Sequence, residues 1–188
     1  MATWDVVVVG GGNAALCAAL AAREEGASVL LLEKEPPEWR GGNSKYTRNL
    51  RCATEQYPEA ELLEDLAGVT GDELDRELAA FTIAESASAP AWMERQGVRW
   101  QPALRGTLGL ERTNRFFLGG GKALLNTYYR RAEEVGVEIR YSSPATSLDL
   151  PGRAVVVAAG GFEANPEWLG RHWGEAASNF VVRGARAN

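Results

Sequence analysis

The sequence predicts an α/β fold in which a parallel sheet carries helices on its faces. Three observations near the amino-terminus lead to it. Trp4–Val9 is a mostly β-branched run that stops at glycine and is apolar on both faces, as a strand buried inside a parallel sheet must be. Residues 13–25 are rich in alanine and leucine and are closed by Gly26, the pattern of a helix with a glycine cap. Residues 28–32 form a second apolar run. Strand, helix and strand fit within about thirty residues, the size of one βαβ unit.

The later elements extend the pattern. Residues 35–40 hold Pro36 and Pro37 and must be loop. Residues 59–77 are acidic, with Leu62, Leu63, Leu66, Leu74 and Leu78 at helical spacings, and read as a solvated helical face. Pro90 opens a short helix to Arg95. Three glycines, 119–121, precede a helix over 122–135 that Gly136 closes. Residues 137–141 and 154–159 read as strands, the second of them buried, and the tail after Phe162 as irregular. The expected sheet has Trp4–Val9 central, 28–32 beside it, 137–141 outside that, and 154–159 on the other flank.

Composition narrows the function classes. The 188 residues carry a net charge of -5, which argues against a nucleic-acid binder, since that role needs a basic stripe. Two distant cysteines, Cys17 and Cys52, give no disulfide framework and point to a reducing cytoplasm. With one histidine, His172, a metal centre has little material, and none is expected. Apolar stretches are too short for a transmembrane segment.

Gly10-Gly11-Gly12-Asn13-Ala14-Ala15 matches the G-x-G-x-x-A pattern of dinucleotide-binding turns. Gly10 permits the tight turn out of the strand, Gly12 the close approach of a pyrophosphate, and Ala15 the packing of helix on sheet. The helix start supplies free N–H donors and partial positive charge to phosphates. A glycine triplet alone is also what a simple tight turn looks like. Here it follows a strand, opens a helix, and is answered by Glu33, 23 residues after Gly10, where an acidic side chain meets a ribose hydroxyl. A carboxylate there repels a 2′-phosphate, so the ligand is NAD or FAD and not NADP.

Two further segments favour FAD. Arg40-Gly41-Gly42-Asn43-Ser44 offers glycines for a backbone cradle and polar side chains for phosphate or flavin edges, or is a plain polar turn. Residues 155–161 end in small residues that let a cofactor lie across the strand end, or make an ordinary strand exit. The basic residues Arg40, Lys45, Arg48 and Arg51, and the pair Arg112 and Arg115, read equally as solvated loops or as anion-binding groups. Cys52 reads as a reduced structural cysteine.

Several stretches resemble the FAD-dependent tricarballylate dehydrogenase family, within the fumarate reductase and succinate dehydrogenase flavoproteins. They are residues 5–32, 39–44 with 47–52, 106–108, 112–124 and 158–165. The resemblance implies an FAD-binding domain of the glutathione-reductase and fumarate-reductase type, with a Rossmann-like sheet and a helical insertion at about 53–118. It implies FAD contacts at Gly10, Gly12, Asn13, Ala14, Glu33, Lys34, Gly41, Gly42, Asn43, Ser44, Ala159 and Gly160. It implies oxidation of a CH–CH bond in a di- or tricarboxylate, tricarballylate becoming cis-aconitate, with electrons passed to an unidentified acceptor. A similar module occurs in a flavoprotein of cobalamin-ring synthesis, and a non-catalytic FAD or NAD module is the alternative outside enzymes. Family members are longer and continue into a capping domain that carries catalytic groups. The expectation is therefore that this chain lacks the cap, has no assignable catalytic residue, and does not turn over alone.

Overall fold

The computed structural model describes residues 3–103 and 110–180, the side chains of Asp72 and Glu111 excepted. In chain order the regular elements are β1 (Trp4–Val9), α1 (Asn13–Glu24), β2 (Val29–Leu32), β3 (Asn49–Leu50), α2 (Glu59–Thr70), α3 (Arg76–Ser86), α4 (Ala89–Arg95), β4 (Arg115–Phe116), α5 (Gly120–Glu134), β5 (Glu138–Arg140), β6 (Gly152–Val157) and α6 (Pro166–Trp173). They fall into two compact units, residues 1–47 with 125–188, and residues 48–124; the division lies inside α5.

The first unit is built on a four-stranded parallel sheet of order β5-β2-β1-β6, the order expected from the sequence. Val7 and Val8 of β1 pair with Leu30 and Leu31 of β2, and all four are buried. Helix α1 buries Ala15, Leu16, Ala19 and Leu20. That is one apolar stripe, with alanines where the helix packs closely. Helix α5 buries Leu125, Tyr128, Tyr129 and Ala132 at the same spacings. Both helices end on a left-handed glycine, Gly26 and Gly136. Arg23 joins the two ends by donating to the carbonyls of Val135 at 2.8 Å and Ala27 at 2.6 Å.

At the amino ends of the strands a polar clamp joins β1 to the segment before β2 and to β6. The Asp5 carboxylate accepts from the Ser28 backbone N–H at 2.9 Å and hydroxyl at 2.7 Å, and from Arg153 at 3.1 Å. The Ser28 backbone N–H, with help from its hydroxyl and Arg153, lowers the Asp5 carboxyl to a pKa of about 2.

Three expectations for this unit need correction. The last strand is Gly152–Val157 and not 154–159, because the chain turns away once the Ala158 N–H has donated to the Val9 carbonyl at 2.8 Å. Nor is it buried: β6 is an edge strand, and Val157 is 60% exposed. The tail after Phe162 is not irregular. Asn165 caps α6 by accepting from the Trp168 N–H at 3.1 Å, Pro166 sits at the helix start, and Arg171 and His172 occupy the last turn. A short 3-10 helix, Gly174–Asn179, follows. Asn-Pro-Glu is an N-terminal helix signal that could have been read directly.

The second unit pairs β3 with β4 antiparallel and packs Ala53, Tyr57, Leu62 and Ile83 into a small core. The acidic stretch is not one helical face. Gly71, at φ 62°, ends α2, and Asp75 starts α3 by accepting from the Leu78 N–H at 3.0 Å. Leu62 is thereby buried while Leu78 is 61% exposed. The 106–108 stretch singled out in the sequence lies outside the described residues. Among the described residues no helix is long and apolar enough to cross a membrane.

Candidate functional site

A cavity of about 530 Å³ opens in the first unit, with residues at the carboxyl ends of β1, β2 and β6 in its lining. That is where parallel α/β sheets bind ligands, because strand-to-helix turns converge there. The turn from β1 to α1 forms one wall, and each of its glycines has a different reason. Gly10 has φ 119°, and a β-carbon on it would lie 2.3 Å from the Ala158 carbonyl oxygen. A β-carbon on Gly11 would lie 2.2 Å from Glu33 Oε2 and 2.3 Å from Tyr129 Oη. One on Gly12 would meet nothing closer than Ser44 Oγ at 3.4 Å. Protein packing thus demands glycine at 10 and 11. At 12 the protein leaves room.

Helix α1 begins at this wall without a side-chain cap from Gly12. Ser44 substitutes from a distant segment: the Asn13 N–H donates to Ser44 Oγ at 3.0 Å. The remaining first-turn N–H groups have no partner inside the helix, as at any helix start. Asn13 Oδ1 is buried without a hydrogen-bond partner, and Asn13 and Ala14 both line the cavity.

Glu33 follows β2 and is 5% exposed. Its Oε1 accepts from the Glu35 N–H at 3.0 Å and its Oε2 from the Gly41 N–H at 3.2 Å. The carboxylate is therefore held in place while remaining part of the lining. Lys34, Gly42, Asn43 and Ser44 line the cavity too, as do Ala159 and Gly160. Gly42 at φ 52° and Gly160 at φ 79° have nothing within 4 Å of a β-carbon position. Gly41 behaves differently from the expectation. It is buried behind the lining, and a β-carbon there would lie 2.5 Å from Leu125 Cδ1. Its glycine serves packing, while its N–H fixes Glu33.

Other lining residues escaped the sequence reading. Ser143, Pro144 and Ala145 follow β5 and contribute because β5 is parallel to its neighbours, so its carboxyl end faces the same way. Phe162, Asn165 and Trp168 reach the cavity through the unforeseen α6. The Phe162 ring is 5.6 Å from Trp168 and stacks on His172 at 5.2 Å. Arg40 is neither a solvated loop residue nor a free anion binder. Its guanidinium lies 4.0 Å above the Tyr129 ring and donates to Tyr141 Oη at 2.5 Å.

The second unit has a cavity of its own, about 1020 Å³, lined in part by Cys52, Trp100, Arg112, Asn114 and Arg115. Arg112 is committed to Glu61 and lies over the Tyr57 ring at 5.2 Å. Burial pushes the Cys52 thiol up, with Arg115 beside it pulling the other way. Burial also pushes Cys17 up to about 11, and both cysteines are free thiols. Among the described residues no three His, Cys, Asp or Glu side chains converge as a metal site would require.

Comparison with known proteins agrees with this geometry. Residues 5–153 match the family model described as FAD binding domain. No curated protein matches the chain significantly. Solved structures with the same fold include an open-conformation flavocytochrome c3 fumarate reductase, at TM-score 0.76 and 24% identity over 93% of this chain and 36% of that one. A 3-ketosteroid-Δ4-(5α)-dehydrogenase from Rhodococcus jostii RHA1 aligns at TM-score 0.70 and 19% identity, covering 90% of this chain and 48% of that one. The Mycobacterium smegmatis Sdh1 complex in its apo form gives 0.66 and 18%, covering 86% and 35%. The chain thus spans between about a third and a half of the length of these neighbours. With residues 5–153 of its 188 matched by that model, the chain belongs to the FAD binding domain family, and its cofactor is FAD.

Proposed function

We propose that this chain is the FAD-holding part of an oxidoreductase that removes hydrogen from a CH–CH bond next to carboxylates, with tricarballylate as the substrate and cis-aconitate as the product. The observation that carries the FAD part of this reading is the Gly10–Gly12 turn facing Glu33 across one cavity. The residues suit the group. The unpartnered Asn13 Oδ1 calls for a hydroxyl or amide donor, and a flavin dinucleotide has several. The open space at Gly12, Gly42 and Gly160 admits a ligand against bare backbone. Gly12, Asn13 and Ala14 would hold the pyrophosphate at the helix start, and Glu33 would accept from the adenosine ribose. Lys34, Asn43, Ser44, Ala159 and Gly160 would complete the lining. Bound FAD supplies a two-electron, hydride-accepting centre.

The carboxylate substrate rests on the resemblance of residues 39–52 and 112–124 to the tricarballylate dehydrogenase family. Free thiols at Cys17 and Cys52 support a cytoplasmic setting. The test is direct. The purified chain is mixed with FAD and freed of excess; a retained blue-absorbing chromophore supports the cofactor site, and a colourless protein overturns it. The substrate is tested on an assembled enzyme containing this chain, by tricarballylate-dependent reduction of an artificial acceptor. An enzyme that reduces the acceptor with another acid but not with tricarballylate overturns the substrate and leaves the cofactor site standing.

A further inference from the structure

We propose that Tyr129 is a positioning residue of the dinucleotide site, holding the Glu33 carboxylate and the Gly11 carbonyl in the arrangement that selects a ribose hydroxyl. This rests on the reading of Glu33 as the ribose contact. Tyr129 comes from α5, far along the chain, and is fully buried. Its hydroxyl donates to the Gly11 carbonyl at 2.8 Å and lies 3.4 Å from Glu33 Oε2. A phenol has one proton. Gly11 takes it at the shorter distance, and the phenolic oxygen then stands against Oε2.

Glu33 is bracketed on its protein side. Glu35 and Gly41 donate to its two oxygens, and Tyr129 closes the space beside Oε2. The acceptor capacity that remains belongs to the cavity, which Glu33 lines. The ring itself is clamped. Arg40 lies 4.0 Å above it, and Tyr141, which accepts from Arg40, is 6.1 Å away between ring centroids. Burial, reinforced by the nearby Glu33 charge, pushes the phenol far above its usual range, so it remains a donor at any physiological pH. Without the hydroxyl, the Gly11 carbonyl loses its donor and the space beside Oε2 opens, leaving that oxygen held by the Gly41 N–H alone. Both faults fall where the ribose is recognised.

The experiment compares ADP with 2′-deoxy-ADP on the full chain, by calorimetry. The intact chain is expected to prefer ADP by about tenfold, the scale of one hydrogen bond to a charged acceptor. Tyr129→Phe should compress that ratio toward one, more than it weakens 2′-deoxy-ADP. Tyr128→Phe, which removes the neighbouring buried hydroxyl beside Cys17, should leave the ratio unchanged. An intact chain with no preference, or no ADP binding, overturns both the ribose reading and the proposal. A preference that survives in Tyr129→Phe, or that Tyr128→Phe destroys equally, overturns the proposal alone. If Tyr129→Phe does not fold, the intact chain is labelled at the tyrosine ζ-carbons, with Tyr128→Phe separating the neighbouring signals. ADP must then move the Tyr129 resonance and 2′-deoxy-ADP leave it in place; equal movement overturns the assignment.

Discussion

The hydroxyl of Ser44 accepts the backbone N–H of Asn13 at 3.0 Å, so a residue 31 positions downstream caps the helix that starts at the glycine turn. Gly12 has no side chain to do this. The cap and part of the cavity lining are therefore the same residue, which couples helix stability to the shape of the site. Ser44→Ala should cost about 1 kcal/mol of stability, the usual value of a lost N-cap. Urea unfolding of the FAD-free chain measures it, and an unchanged midpoint would show that water replaces the hydroxyl without loss.

The three glycines of the turn should separate by phenotype. Gly11→Ala drives a methyl onto Glu33 and Tyr129 within the buried turn. It should destabilise the apo-chain by about 1–3 kcal/mol, as overpacking does. Gly12→Val should leave the apo-chain folded, since the protein leaves space there, and should abolish FAD retention by filling the approach to the helix start. Circular dichroism melting with FAD titration distinguishes the two. Equal behaviour of both variants would refute the division of labour.

Acid stability should report on Asp5. Its folded carboxyl sits at about 2, below the ordinary aspartate range, so the stabilisation is fully present above the unfolded value near 4. It should be lost as pH falls from about 4 toward 2, where the unfolded state takes up the proton first. Asp5→Asn should flatten the stability curve in that window and leave the slope between pH 5 and 7 unaltered. A variant whose acid limb overlays the original would place the clamp's contribution elsewhere.

The 188 residues by themselves should bind FAD and fail to oxidise tricarballylate. The one histidine, His172, is stacked on Phe162, and Arg40 and Arg112 are committed to aromatic and carboxylate partners. Proton abstraction needs a base within hydrogen-bond reach, worth about 10²–10⁴-fold. Stopped-flow bleaching of the flavin band on adding tricarballylate is the measurement, and bleaching at enzymatic rates would mean the groups are already here.

Local sequence determined the sheet and the first half of the site. Trp4–Val9, the glycine turn and Glu33 lie in one βαβ unit, where spacing and hydrophobic pattern are set by neighbours in the chain and a short-range rule suffices. The strand order matched the expectation too, although β5 and β6 join β2 and β1 from distant parts of the chain. What the sequence hid depends on contacts between distant segments. That Gly11 is as constrained as Gly10 follows from the Glu33 carboxylate and from Tyr129, 118 residues away, both of which a β-carbon there would strike. That Gly41 serves packing follows from Leu125, and that Ser44 caps a helix follows from its approach to Asn13. The exposure of β6 is likewise a matter of which strand ends at the sheet edge. Periodicity fixes which face of an element is apolar. Only the tertiary fold decides what that face meets, because a buried hydrogen bond or a steric limit belongs to two chain segments at once.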